Sequence, residues 1–468
     1  MPKYLNKVYV LEIALFFLII FGVLPREFAF VLAGILIVYS LFASLENATI
    51  LFVRSIPLFI ALPITASFDN FNTWRILAVI IFLKWLFNNS LRLPLMDKRE
   101  RKNPFPLIYK GDSRGLLILL LIISILSIFV AQDQILAIKR IIYFLNLSMV
   151  PVVIYHLAVQ PLSNFRERLI RNIAIPVIIV TAFGFLQLIL AYFVDIYQFM
   201  NIFGNGIQCR QFGNQWCYIA TRVGNTWFSY YGSQLSLRMF SLFTDSHTFP
   251  IFLLLGLPSV FALASKNRRW LVAVPFIFLA VILSGTRGIW VAVIGVILWA
   301  LVLRFWFKQK NPVSKWLLAF FLLFAIAWPI AISPQFLLSS GNLFGHRIKS
   351  VFDFNETSNK ARIAIWKATL ISIKQNPILG IGIGNFPLVL GEDLKLAKAG
   401  SSAHNLYLQV AAEMGIFALV ALLWFLWLVL KKLYNNADDI YADALLIFLP
   451  WVLIYVLTDV ALFDERAF

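Results

Sequence analysis

The chain has 468 residues, 61% of them apolar and only 13% charged, with a mean hydropathy of +0.85. A soluble domain averages roughly 45–50% apolar and about 25% charged residues, so a water-soluble globule is excluded, as are disorder, collagen and coiled coil. The net charge of +18 does not indicate nucleic acid, because much of the basic excess lies in short loops between apolar runs, where it marks the cytoplasmic side of a membrane.

Apolar runs near the roughly 20 residues needed to cross a bilayer recur along the whole chain. In order, the candidate spans are 8–24, 27–45, 53–68, 73–87, 115–131, 139–158, 172–193, 248–264, 270–283, 287–303, 316–333, 405–430 and 441–462. The span 53–68 is broken by Pro57 and Pro63. The expected fold is an all-α polytopic membrane protein of about 12–14 helices in a single membrane domain, 1–468. Within it, 1–193 holds N-terminal helices, 194–247 an outward loop, 248–333 central helices, 334–404 a large outward loop and 405–468 the C-terminal helices.

Charge sets the orientation. With the N-terminus cytoplasmic, the inside segments hold 22 Lys and Arg, including seven between Arg92 and Arg114, whereas the short outside loops hold Arg26, Lys139 and Arg287. Both long loops then face outward. Cys209 and Cys217 share the first of them, and in an oxidising compartment they are candidates for a disulfide; two unpaired thiols are equally compatible with the spacing. An odd number of spans puts Asp464-Glu465-Arg466 outside, which hints at a miscounted span.

Ionisable groups at the outer edge of the membrane are where a site is sought first. Ser284-Gly285-Thr286-Arg287-Gly288 joins two spans by a tight turn. Ser284 or Thr286 can cap the following helix, and its positive end together with Arg287 makes an anion site suited to phosphate. The alternative is an anchor arginine at the lipid headgroups. Farther on, Arg362, Trp366 and Thr369 share one face of a helix that Asn376-Pro377 ends, and this helix is expected to lie on the outer interface. Glycines 380, 382 and 384 then permit close approach to a ligand, or simply form a loop. In Ser401-Ser402-Ala403-His404-Asn405, Ser401 or Ser402 is the expected N-cap, which puts His404 in the first helical turn as a neutral imidazole able to act as a general base; the alternative, commoner for a single interfacial histidine, is a structural role. Asp245 and His247 also face outward but are too few to argue for a metal. Glu413, half a revolution from His404, is read as bundle packing.

Taken in order, these segments resemble the C-terminal region of the bacterial O-antigen ligase and polymerase superfamily. The matching pieces are Arg238 with Phe243, Ser284-Gly285-Thr286-Arg287-Gly288, Arg362-Ile363-Ala364-Ile365-Trp366 with Pro377 through Phe386, and His404-Asn405-Leu406-Tyr407-Leu408-Gln409 with Glu413-Met414-Gly415. The likeness covers roughly 236–430, and the N-terminal half matches only in hydropathy. Where many relatives carry a Pro-Asn pair, this chain reads Thr244-Asp245-Ser246-His247. The resemblance implies a fold like that of C-class membrane glycosyltransferases. It implies a donor glycan on undecaprenyl diphosphate, and an acceptor that is lipid A–core for a ligase or a second lipid-linked glycan for a polymerase. The setting it implies is the bacterial inner membrane with the site on its periplasmic face. No metal or other cofactor, no nucleotide sugar and no nucleic acid is implied. His404 takes the catalytic role by resemblance, Arg287, Arg362 and Arg238 the diphosphate, and Asn405, Ser284 and Thr286 supporting positions. The competing class is a lipid-linked sugar transporter, against which stand the absence of an internal repeat and the clustering of polar residues at one face.

Overall fold

The computed structural model describes residues 2–64, 71–92, 113–160, 164–213, 216–217, 227–231, 234–309, 312–331, 357–391 and 402–463. Most of the basic run from Arg92 to Arg114, residues 334–356 and 392–401 of the loop 334–404, and Asp464-Glu465-Arg466 lie outside the described residues.

Helices dominate. They are α1 (Pro2–Ile20), α2 (Phe28–Phe42), α3 (Leu45–Ser55), α4 (Thr73–Arg92), α5 (Ser113–Ser127), α6 (Gln134–Val159) and α7 (Phe165–Leu190), then α8 (Ile196–Phe199), which runs through a π-helical stretch into α9 (Cys209–Phe212). After these come α10 (Thr248–Lys266), α11 (Ala273–Leu283), α12 (Arg287–Phe305), α13 (Trp316–Ala331), α14 (Thr357–Gln375), α15 (Leu406–Asn435) and α16 (Ile440–Tyr455). Two short antiparallel pairs accompany them: β1 (Ala61–Leu62) with β2 (Phe71–Asn72), and β3 (Phe228–Tyr231) with β4 (Gln234–Leu237). Among the described residues, α6, α7, α10, α12 and α15 are each long and apolar enough to cross a membrane. Leu298, Leu318 and Phe417 are about 60% exposed on the outside of the bundle, where a soluble helix would carry charge and where lipid is the matching solvent. The chain is an all-α polytopic membrane protein.

One predicted span differs in kind. Instead of a helix over 53–68, α3 stops before Pro57, a 3-10 turn follows, and the chain ends in β1. Proline cannot continue the helical hydrogen bonding, so the backbone groups it releases need other partners. They find them: the Gln211 side chain donates to the Pro57 carbonyl at 3.2 Å and the Thr73 hydroxyl to that of Ile60 at 3.2 Å, while β2 pairs with β1. Leu58, Phe59, Ile60 and Ala61 are buried, so this irregular stretch is shielded from lipid. It nevertheless runs the length of the bundle. Glu46 at its start meets Arg168 at the start of α7, and the Ala61 carbonyl at its end accepts from Arg26 between α1 and α2.

Polar contacts between distant segments sort to two ends. At one end Arg168 pairs with Glu46, Arg166 with Asp439 and Lys266 with Glu167, all beside the arginine-rich helix ends. At the other lie Arg26, the Cys209–Cys217 disulfide, the Ser284–Arg287 turn, Asn385 bonded to Asp133, and His404. The disulfide expected as one of two options is formed.

The glycine run is committed to α15, whose helical path breaks at Gly415, with φ +85°. Into that break fold Ile381 and Gly382, whose N–H groups donate to the carbonyls of Ala412 and Glu413 at 3.0 Å each; the Ile416 N–H donates to the Pro377 carbonyl at 2.8 Å. The carboxylate of Glu413, buried in the bundle as expected, accepts from Gly384 N–H and from Gln409. A β-carbon at Gly415 would run into the Ile378 carbonyl as well as strain a positive φ. Gly415→Ala is therefore expected to destabilise the protein by at least about 1–3 kcal/mol, read as a lowered thermal midpoint in detergent.

Candidate active site

The segment before α10 is set by buried polar anchors. Gln187 of α7 accepts from the N–H groups of Phe240 and Ser241 at 3.0 and 3.1 Å, and the Ser241 hydroxyl donates to the Val180 carbonyl at 2.6 Å. Trp227 donates to the Thr244 carbonyl at 3.1 Å. Asp245 accepts from the N–H groups of His247 and Thr248 at 2.7 and 2.8 Å, which fixes the turn that leads into α10.

His247 is the centre of a chain of contacts. Its Nδ1 lies 2.9 Å from the Asp459 carboxylate and 3.1 Å from the Tyr455 hydroxyl, and its Nε2 lies 3.4 Å from an Arg238 nitrogen. The tautomer with hydrogen on Nδ1 satisfies this arrangement: Nδ1 donates to Asp459 and Nε2 accepts from Arg238. Asp459 also accepts the N–H groups of Val460 and Ala461 at 2.7 and 2.9 Å. Burial alone would raise its pKa, but His247, His404 and the Ala461 N–H outweigh it and hold the carboxyl below its ordinary range.

Arg238 leans on the next motif. A β-carbon at Gly285, where φ is +67°, would stand 3.1 Å from Arg238 Cγ, so the glycine lets the arginine stem lie across the turn. The two capping candidates of this turn do not cap. Thr286 occupies the N-cap position of α12, but its hydroxyl donates to the Ser246 carbonyl at 2.7 Å, and the Ser284 hydroxyl donates to Val281 at 2.7 Å. The α12 N-terminus thus has no side-chain cap, and Arg287 stands half-buried as its first residue. Gly288 packs against Tyr455 and Thr458.

The histidine motif differs from expectation in its helix cap, which lies three or four residues later in the chain. Ser401 lies outside the described residues, and Ser402 does not cap α15. Asn405 does, accepting from the Leu408 N–H at 3.0 Å, so His404 precedes the helix rather than occupying its first turn. Its backbone is left-handed, with φ +46°. Such strain costs about 1–3 kcal/mol and persists only where neighbours impose it. Here Trp366 of α14 donates to the Ala403 carbonyl at 2.9 Å, Ala403 N–H to Gln409 at 2.8 Å, and Leu406 N–H to the Val456 carbonyl at 2.9 Å. Burial lowers the pKa of His404; the Asp459 charge opposes this, and Arg362 and His247 add to it. The expected neutral imidazole is therefore favoured by burial and the nearby Arg362 charge rather than by a helix dipole.

Residues 455–459 are the hub at which these motifs meet: Gly288 packs on Tyr455 and Thr458, Leu406 bonds Val456, and Asp459 holds His247. Sequence reasoning placed this segment inside the span 441–462 and gave it no role. The available signal was a carboxylate near the end of an apolar run, which is expensive there without a partner.

Comparison with known proteins bears on this arrangement. No curated protein matches the chain. Residues 271–423 match the model of the family described as O-antigen ligase, a region that includes the 284–288 turn, Arg362, the glycine run and His404 but neither Arg238, His247 nor Asp459. The match covers about a third of the chain and supports a likeness to the O-antigen ligase and polymerase superfamily.

Proposed function

We propose that the protein is a membrane glycosyltransferase that moves a glycan from an undecaprenyl-diphosphate carrier to an acceptor hydroxyl on the periplasmic side of the bacterial inner membrane, with lipid A–core as acceptor. The observation that carries this reading is the meeting of His404, the His247–Asp459 pair, Arg238 and the 284–288 turn around residues 455–459, at the end of the bundle opposite the arginine-rich helix ends. The basic end is assigned to the cytoplasm by its charge.

In this reading Arg287, Arg238 and Arg362, with the uncapped N-terminus of α12, hold the diphosphate and stabilise the charge that grows on it as the glycosidic bond breaks. His404 takes the proton of the acceptor hydroxyl, and its oxygen attacks the anomeric carbon opposite the leaving diphosphate, inverting that centre. Asp459 and His247 orient Arg238. A neutral base works only above its pKa. Because the His404 pKa lies below 6.5, the acid limb of kcat/KM is expected below pH 6.5. Asp459→Asn removes the charge that raises it and shifts that limb to still lower pH; Arg362→Gln shifts it upward. Measured pH profiles of the two variants, moving in opposite directions, check both signs.

The deciding experiment supplies purified protein with a lipid-diphosphate glycan and either lipid A–core or a second donor molecule. Glycosylated lipid A–core supports the ligase reading. Lengthened carrier-linked glycan makes the protein a polymerase, and vectorial movement without product makes it a transporter.

A further inference from the structure

A second basic cluster lies at the other end of the bundle, away from all the residues above. Between α1 and α7 there is a cavity of about 390 Å³ whose polar lining includes Asn6, Tyr9, Arg54, Arg168 and Arg171. Arg54 projects from α3 and is 92% buried, at 8% relative exposure. Its guanidinium is held in place by neutral groups: it donates to Asn172, to Asn6 at 2.8 Å, and lies 5.2 Å over the Tyr9 ring. Arg168 gives one edge to Glu46 at 2.8 Å and another to Asn47. Arg171 stands exposed at the mouth. Among the described residues, three guanidinium groups thus line one cavity, and the carboxylate paired with one of them is that of Glu46; Glu12, deeper in α1, takes the Ser55 hydroxyl instead.

The other walls are apolar. Leu5, Val10 and Ile175 complete the lining, and Val10 is 64% exposed on the outer side of α1, so the cavity opens sideways onto the lipid-facing surface. An excess of buried positive charge facing hydrocarbon is unfavourable unless an anion answers it, and basic pockets between helices at the cytoplasmic end of membrane proteins suit phosphate headgroups. We infer that this cavity binds the headgroup of an anionic phospholipid, with the phosphodiester between Arg54, Arg168 and Arg171 and the acyl chains along Val10 and Ile175.

The test is native mass spectrometry of delipidated protein titrated with phosphatidylglycerol or with phosphatidylcholine of the same chains. One phosphatidylglycerol is expected to stay bound where phosphatidylcholine does not. Arg171→Ala, at an exposed position that leaves the Arg54 network intact, is expected to weaken retention about fivefold, from roughly 1 kcal/mol per basic residue at the headgroup. Arg168→Ala is expected to act in the same direction, and thermal midpoints confirm that both variants fold. Equal retention of the two lipids, or unchanged phosphatidylglycerol binding in both variants, overturns the inference. So does inorganic phosphate raising the thermal midpoint as much as the lipid, since the site would then be one for free phosphate. Because the readout is lipid occupancy, the result is independent of glycan transfer.

Discussion

His404→Ala is expected to reduce glycan transfer by about 10²–10⁴-fold while binding of the lipid-diphosphate donor persists. General-base catalysis contributes on that scale, and nothing in the proposed donor contact depends on the imidazole. The effect therefore falls on turnover rather than on donor affinity, measured by product formation under saturating donor alongside direct donor binding. Fold loss is a lesser concern, because the clamp around His404 is made by Trp366, Gln409 and the Leu406 N–H, all of which remain in the variant. Alanine will tolerate the left-handed backbone less well than histidine, so His404→Asn, which favours that conformation, serves as the second variant. Full activity in both would remove His404 as the base.

Arg287→Ala should act differently, weakening donor binding and turnover together. In the proposed reaction the guanidinium at the start of α12 meets the diphosphate in the ground state and again as the leaving charge develops, and loss of one such donor commonly costs about 10²–10³-fold in rate. Arg287→Lys should recover only part of this, because an ammonium keeps the charge but not the planar fork. Donor affinity and single-turnover rate in the two variants separate the contributions. If both stay at wild-type values, Arg287 is an anchor at the membrane surface and the 284–288 turn holds no diphosphate.

Hydropathy made most of the helices legible in advance. A run such as 172–193 or 248–264 has no other way to satisfy its backbone in lipid, so α7 and α10 follow from composition alone. The third span was misread because Pro57 interrupts it, and what replaces a helix there depends on Gln211 and Thr73, which come from other parts of the chain. The glycine run was legible as a loop, but its partner was not, being a break at Gly415 more than thirty residues away. In the candidate site, the sequence pointed to His404, Arg287, Arg238 and Arg362 through local motifs. Asp459 and the orienting part of His247 stayed hidden, since an isolated carboxylate and an isolated imidazole gain meaning only when two distant segments meet.

The sequence by itself determined that this chain lives in a bilayer and which short motifs lie at the ends of its apolar runs. These are properties of single segments, set by transfer of side chains between water and hydrocarbon. Only the tertiary structure decided that Asn405 rather than a serine caps α15, that Thr286 reaches Ser246 instead of its own helix, and that Asp459 holds His247 against Arg238. Hydrogen bonds and ion pairs are short-ranged, so their choice of partner is fixed by packing across the whole bundle and leaves no periodic trace in the chain.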